Sequence, residues 1–277
     1  MEEFGKGLVV EPYLASIVLA GSIIEKSDSE AIRSTVLSAI MSGDKLAALA
    51  FVEPQARFNL SDVETSGTET AGGFVLNGFK AVVIGGPSAD YLVVPARTSG
   101  GRFDEDGITL FLLEAQADGV VLRNYPTIDG HQASEVNIEK VFVEASHVIG
   151  EIGKGFQILE EAIDKGILAV GAEAVGAMEI LYKSTVEYCK TREQFGQPIG
   201  KFQVLQHRMV DMFMEHEQSK SLLYMAAIKM SAGNEEEKKR SISALKVQVG
   251  KSGRFVGQNA IQLHGGMGMT DELNIGH

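Results

Sequence analysis

Cysteine is nearly absent: Cys189 is the only one in 277 residues. No internal disulfide can form, and a reducing compartment suits the chain. Long apolar runs are missing too. No stretch reaches the roughly 18 residues that mark a membrane-spanning helix. The opening Met1-Glu2-Glu3-Phe4-Gly5-Lys6 does not read as a secretory signal. The expectation from these absences is a cytoplasmic protein with no membrane span. Positive charge is also scarce, with 25 Lys and Arg against 37 Asp and Glu and a formal charge of -12. That disfavours nucleic acid as a partner, since phosphate binding wants a basic face. There is no internal repeat, no low-complexity tract and no Gly-x-Ser-x-Gly nucleophile motif. His207, His216 and His264 stand on helical segments or in a late loop without metal-ligand spacing, so no metal site is expected.

What is present is enough apolar sequence, 44% of residues, to bury a sizeable core in two or three compact units. From about Pro12 to Ser42 apolar residues recur at helical spacing, as in Ile32, Val36, Leu37 and Ile40, with Gly43 as a stop signal. From Leu46 to Ile149 the texture changes to short β-rich runs such as Val82-Val83-Ile84, Tyr91-Leu92-Val93-Val94 and Ile108-Thr109-Leu110-Phe111-Leu112-Leu113. These predict an antiparallel sheet or small barrel. From Gly155 onward long helical patterns return, broken near Gln197 and near Ser231 to Asn234, and such short connections imply antiparallel packing. Gly233 and Asn234 read as a break and an N-cap for the solvated run Glu235-Glu236-Glu237-Lys238-Lys239-Arg240. The glycines of Gly150-Glu151-Ile152-Gly153-Lys154-Gly155 have the wrong spacing for a dinucleotide fingerprint and read as a flexible helix entry. The expected fold is thus α+β and multidomain: a helical N-terminal piece over 1–45, a β-barrel-like middle domain over 46–150, and an antiparallel helical bundle over 151–277.

The most informative segment is Thr191 to Gln206, the bend between two long helical patterns. Pro198 suits such a bend, because a proline displaces the residue before it from the helical region and then favours a helix start. A bend that only turns the chain needs Gly, Pro and a few solvated residues. This one adds Arg192, Phe195, Phe202 and several glutamines. A permanent cation, planar amides and aromatic rings suit a large, flat, anionic ligand.

The run Arg-x-x-Phe-Gly-x-Pro-Ile-x-x-Phe-Gln in this bend resembles the helical-hairpin signature of the acyl-CoA dehydrogenases, flavoproteins that desaturate acyl-CoA thioesters. The late Gln262-Leu263-His264-Gly265-Gly266-Met267-Gly268 is similar to the family's Gln-x-x-Gly-Gly-x-Gly loop. Gly73-Phe74-Val75-Leu76-Asn77-Gly78-Phe79-Lys80 resembles a strand-turn segment of its central β-domain. The three matches occur in the family's order and cover essentially the whole chain, which on this resemblance is shorter than a full member at both ends.

That resemblance implies FAD as cofactor, acyl-CoA as substrate and an electron-transferring flavoprotein as electron acceptor. It implies that Arg192 neutralises the FAD pyrophosphate, Phe195 packs on the adenine-ribose part, Gln203 bonds the adenine end, and Gln262 and Gly266 approach the pyrophosphate. In the family these groups serve the FAD of a neighbouring subunit, so a homo- or hetero-oligomer, dimer or tetramer, is expected. Two departures accompany it. Val52, Val82 and Ile84 stand where the family has Thr, Trp and Thr around the flavin ring, so hydroxyl contacts are lost while backbone amides remain. The catalytic base is unknown: the family's usual glutamate follows the Gly-Gly loop beyond His277, and the position a minority of members use is Gly166. Asp164, two residues away, reads as solvated surface, and Gly166 as room for a bulky acyl group. Little desaturation by this polypeptide alone is expected. The alternatives are a non-catalytic subunit that completes a neighbour's FAD site, and an acyl-CoA oxidase-like flavoenzyme.

Overall fold

In the computed structural model, which describes residues 1–232 and 234–276, the helical spacing read between Pro12 and Ser42 becomes two segments. After an N-terminal helix α1 (Glu2–Gly7), a π-helical stretch, Leu14–Gly21, continues as the short α2 (Ser22–Ile24). A second π-helical stretch, Ile32–Leu37, continues as α3 (Ser38–Ser42). Gly43 ends it in the left-handed region, φ 82°, and its amide bonds back into the last turn. The glycine is the stop that the sequence predicted. Wider winding was not predicted from a 3.6-residue spacing, yet Leu19 and Ile32 within it still face inward, as do Ile23 and Ile40 in the α-helical turns that follow.

Next come β1 (Ala47–Leu49), β2 (Ser66–Thr70), β3 (Gly73–Ile84), β4 (Tyr91–Arg97), β5 (Ile108–Glu114), β6 (Val120–Pro126), β7 (Gln132–Glu144) and β8 (Val148–Ile149). They form one sheet in the order β6-β7-β3-β2-β4-β5-β8, with β1 alongside β4. The long pairs are antiparallel; β1 runs parallel to β4, and β2 meets β4 in parallel only at Ser66 and Arg97. Alternation explains why β4 and β5 are apolar at nearly every position. Val93, Leu110 and Leu112 pack with the helical segments, whereas Leu92, Val94, Phe111 and Leu113 face Phe74, Leu76, Val136 and Ile138. The sheet wraps around this second core, where Phe74 meets Phe111 edge-on at 5.1 Å between ring centroids. Residues Val10–Gly166 make one compact unit.

A second unit comprises Met1–Val9 and Ile167–His277. It holds most of α4 (Gly155–Thr191) and all of α5 (Gln203–Ala232) and α6 (Glu235–His264). The pairs Arg208–Asn259, Glu215–Gln248 and Lys229–Glu237 show α5 and α6 running antiparallel, as expected. Asn234 caps α6 by accepting from the Glu237 amide at 2.9 Å; Gly233, read as the break before it, lies outside the described residues. Val175, Met178, Met212, Leu223, Leu245 and Val256 form the core. At Gly176 a Cβ would sit 1.9 Å from the Glu2 carbonyl oxygen, so α1 rests directly on the backbone of α4.

One buried group in this unit gives a pH-dependent expectation. His216 on α5 is 1% exposed, packs against Tyr182, and leaves its Nε2 without a hydrogen-bond partner among the described residues. Burial lowers its pKa below the usual 6.5, and the opposing pull of Glu217 and Glu179 does not restore it. The folded state therefore binds the proton less well than the unfolded chain. The neutral ring's contribution is fully present above the unfolded pKa of about 6.5 and declines as pH falls below it. Melting temperatures measured from about pH 7.5 down to about pH 5 should fall less steeply for His216→Phe than for the unmodified chain. Parallel curves would remove His216 from the acid response.

Candidate functional site

The bend after α4 is a small built structure. The Arg192 amide bonds back to Tyr188 O at 2.8 Å, and Ile199 N donates to Arg192 O at 2.8 Å, which closes the loop. Inside it β9 (Glu193–Gln194) and β10 (Gln197–Pro198) pair antiparallel. The two residues at the tip, Phe195 and Gly196, have φ of 56° and 77°. Glycine adopts such values freely and phenylalanine does so only at a cost of about 1–3 kcal/mol. That conformation leaves the Phe195 ring 92% exposed, edge-on to Phe202 at 6.2 Å. Arg192 is exposed, and among the described residues its guanidinium forms no ion pair and no hydrogen bond. Gln203, the first residue of α5, is exposed as well.

The glycine loop lies at the other end of the helical unit's sequence but not of its space. Helix α6 ends at His264, and Gly265 follows with φ 61° and ψ -137°, a conformation confined to glycine. Gly265–Met269 then make a tight 3₁₀ turn. A Cβ built on Gly265 or Gly266 would meet nothing within 4 Å, so this backbone is open to close approach. Gln262 is exposed on the last turn of α6. Tyr188, in the last turn of α4, stacks on His264 with ring centroids 4.4 Å apart. That contact brings the hairpin and the glycine loop together. The sequence gives neither ring a role in the site, although Tyr188 stands one helical turn before Arg192 and His264 directly precedes Gly265.

In the sheet unit, Val52 and β3 are joined by the bond from Ala81 N to Val52 O at 2.9 Å. A buried ion pair that the sequence reading missed lies beside it. Lys80 is 0% exposed and Glu53 is 2% exposed, with Nζ 2.7 Å from Oε1. Glu53 also accepts from Thr65 Oγ1 and N, Glu64 N and Gln55 Nε2, while Lys80 donates to Pro95 O. Burial alone would raise the Glu53 carboxyl, but the charge and hydrogen bonds of Lys80, with those of Thr65 and Gln55, hold its pKa at about 2. Burial pulls the Lys80 ammonium down, and Glu53 opposes that. The pair pins the Glu53-Pro54-Gln55 turn to β3 at one edge of an open cleft of about 610 Å³, which Thr65, Phe79 and Asn137 also line. Val82 and Ile84 leave about two-fifths of their surface exposed on the same strand. They offer an apolar contact face in place of hydroxyls.

Two expectations change at Gly166. A Cβ there would lie 2.6 Å from Leu19 Cδ2, so the missing side chain makes room for Leu19 and not for an acyl group. Asp164 is half-buried and has an interaction partner, so it is not a freely solvated carboxylate. Among the described residues no three His, Cys, Asp or Glu side chains gather as a metal-ligand group, and no helix is long and apolar enough to cross a membrane. The donor set around the hairpin fits FAD: an uncommitted guanidinium for phosphate, an exposed ring for adenine, free amides, and glycine backbone that a pyrophosphate can approach.

Comparison with known proteins agrees with this chemistry. Residues 48–141 match the family described as acyl-CoA dehydrogenase, middle domain, and residues 153–277 match acyl-CoA dehydrogenase, C-terminal domain. The short-chain specific acyl-CoA dehydrogenase of Megasphaera elsdenii is 33% identical over 265 residues, which are 94% of this chain and 68% of that protein. The 3-(aryl)acrylate reductase of Clostridium sporogenes is 31% identical over 86% of this chain, which spans 63% of its length. Among solved structures, the butyryl-CoA dehydrogenase of Megasphaera elsdenii superposes with a TM-score of 0.91 at 31% identity, covering 99% of this chain and 73% of that one. The FAD complex of PigA superposes with a TM-score of 0.93 at 27% identity and the same coverage.

Proposed function

The chain belongs to the acyl-CoA dehydrogenase family, and from that premise we propose that it holds FAD and takes part in the α,β-desaturation of an acyl-CoA thioester, with electrons passing to an electron-transferring flavoprotein. When bound, the flavin supplies the redox chemistry by accepting a hydride from the acyl β-carbon. The chain's residues bind and orient. Arg192 neutralises the pyrophosphate, Phe195 and Gln203 hold the adenine end, and Gln262 and the Gly266 backbone approach the phosphates. Residues 46–150 serve the ring end of the chain's own FAD, where Val82 and Ile84 give an apolar face and backbone amides give the polar contacts; the hairpin and glycine loop of residues 151–277 serve the adenine end of a neighbouring subunit's FAD.

The observation that carries this reading is the convergence of an uncommitted arginine, an exposed phenylalanine held in a costly backbone conformation, and an open glycine loop. A second copy or a related subunit completes the site in this reading. The face of α5 that carries Val210, Phe213, Met214, Tyr224, Met225 and Ile228, each about half-exposed, supports such a partner. The cytoplasm is the proposed compartment, in keeping with a single, buried cysteine.

A second reading, a subunit that completes a neighbour's FAD site without supplying the base, is favoured by Gly166, where Leu19 fills the space a carboxylate would need. Anaerobic mixing of the FAD-loaded protein with short- and medium-chain acyl-CoAs separates the two. Loss of the oxidised-flavin absorbance is the expected result for a dehydrogenase. FAD that stays oxidised with every acyl-CoA, as expected of a chain without a base, would leave the partner-subunit reading. Rapid reoxidation of reduced flavin by air would identify the oxidase-like alternative.

A further inference from the structure

We infer that Tyr188 and His264 form a brace that fixes the hairpin and the glycine loop in one geometry and so sets FAD affinity without touching the cofactor; the inference rests on reading those segments as the adenine and pyrophosphate end of the FAD site. The two rings lie 30° from parallel at 4.4 Å between centroids, and Tyr188 Oη donates to His264 O at 3.5 Å. His264 is 4% exposed. Its Nδ1 lies 2.8 Å from Ala260 O, and because a carbonyl can only accept, the proton sits on Nδ1. The imidazole is thereby fixed from below by its own helix and from the side by Tyr188.

Each ring is tied to the backbone of one binding segment. The Tyr188 carbonyl holds the Arg192 amide at the point where α4 gives way to the hairpin. The His264 carbonyl takes the Tyr188 hydroxyl one residue before Gly265, whose φ of 61° starts the loop. Loss of the ring contact would untie the two segment origins from each other, and each origin starts a segment that presents donors to FAD. The Arg208 to Asn259 contact between α5 and α6, by comparison, is exposed. Donors held in place before binding lose less freedom when the ligand arrives, so the brace acts on affinity through preorganisation.

The test is FAD titration of the whole chain, with the melting temperature of the flavin-free form read on the same variants. Tyr188→Leu removes the stack and the hydroxyl contact and is expected to weaken FAD roughly 3- to 10-fold, the worth of an aromatic pair. Tyr188→Phe keeps the ring and should restore affinity to within about twofold. His264→Gln keeps a donor for Ala260 O but loses the ring, and should behave as Tyr188→Leu does; it also serves if Tyr188→Leu does not fold. The double variant Tyr188→Leu/His264→Gln should bind FAD no worse than the weaker single, because both remove one contact. Melting temperatures that drop while FAD affinity holds, or losses that add in the double variant, would overturn the brace. Arg192→Ala in the same titration keeps the two readings apart. If it weakens FAD and the ring variants do not, only the brace fails; if it too leaves FAD unchanged, the assignment of the FAD site fails.

Discussion

Replacing Lys80 with methionine should destabilise the Val10–Gly166 unit by about 3–5 kcal/mol, the cost of leaving a buried carboxylate without its counter-charge. Glu53 is 2% exposed and cannot recover solvation without opening the turn. The pH dependence should change sign as well. In the unmodified chain Glu53 is held at about 2, below its ordinary 4.5. Its contribution is therefore present above about pH 4.5 and is lost as pH falls toward about 2. Without Lys80, burial raises the carboxyl instead, protonation becomes favourable in the fold, and the variant should regain stability as the solution is acidified. Adding Glu53→Gln should recover part of the loss, since an amide oxygen still accepts from the Thr65 hydroxyl without burying a charge. Urea unfolding at about pH 7 and about pH 5 measures both effects. A loss under about 1 kcal/mol at neutral pH would mean that the turn is held by the Glu64 and Thr65 amides alone.

Arg192→Ala carries the second large expectation. The guanidinium is exposed and has no partner among the described residues, so its removal should leave the folded chain nearly unchanged. A charge-assisted bond to a phosphate is worth roughly 1.5–3 kcal/mol, which corresponds to FAD binding weaker by about 10- to 150-fold. Arg192→Lys should rescue only part of it, because an ammonium lacks the planar fork of donors.

The hairpin was legible because its signals are contiguous. Pro198, Gly196 and the polar and aromatic residues around them lie within 16 residues, and the tip forms where the glycine permits it. The two faces of β5 were legible in part: a run apolar at nearly every position announces burial on both sides, but not which core takes which side chain. Longer-range pairs were not legible. Tyr188 and His264 are 76 residues apart, and nothing in either neighbourhood predicts a stack. Lys80 and Glu53 left a faint signal. Lys80 falls in the same alternating row as the inward-facing Phe74 and Leu76, which is no place for an unpaired lysine. Pattern reading treats a lysine as surface and passes over that conflict. The bulge between Lys80 and Val83, which sets how Val82 and Ile84 face outward, has no signature in a run of valines and isoleucine. Gly166 misled for the opposite reason: a missing side chain shows where space exists but not whether Leu19 or a ligand fills it.

The central claim, that the Arg192 hairpin and the Gly266 loop form the adenine and pyrophosphate end of a FAD site, is tested most directly by titrating FAD into the unmodified chain and Arg192→Ala side by side, with flavin fluorescence as the readout. Saturable binding of one FAD per chain is expected, weakened about 10- to 150-fold in the Ala variant at an unchanged melting temperature. Equal affinity for FAD in the two proteins would contradict it.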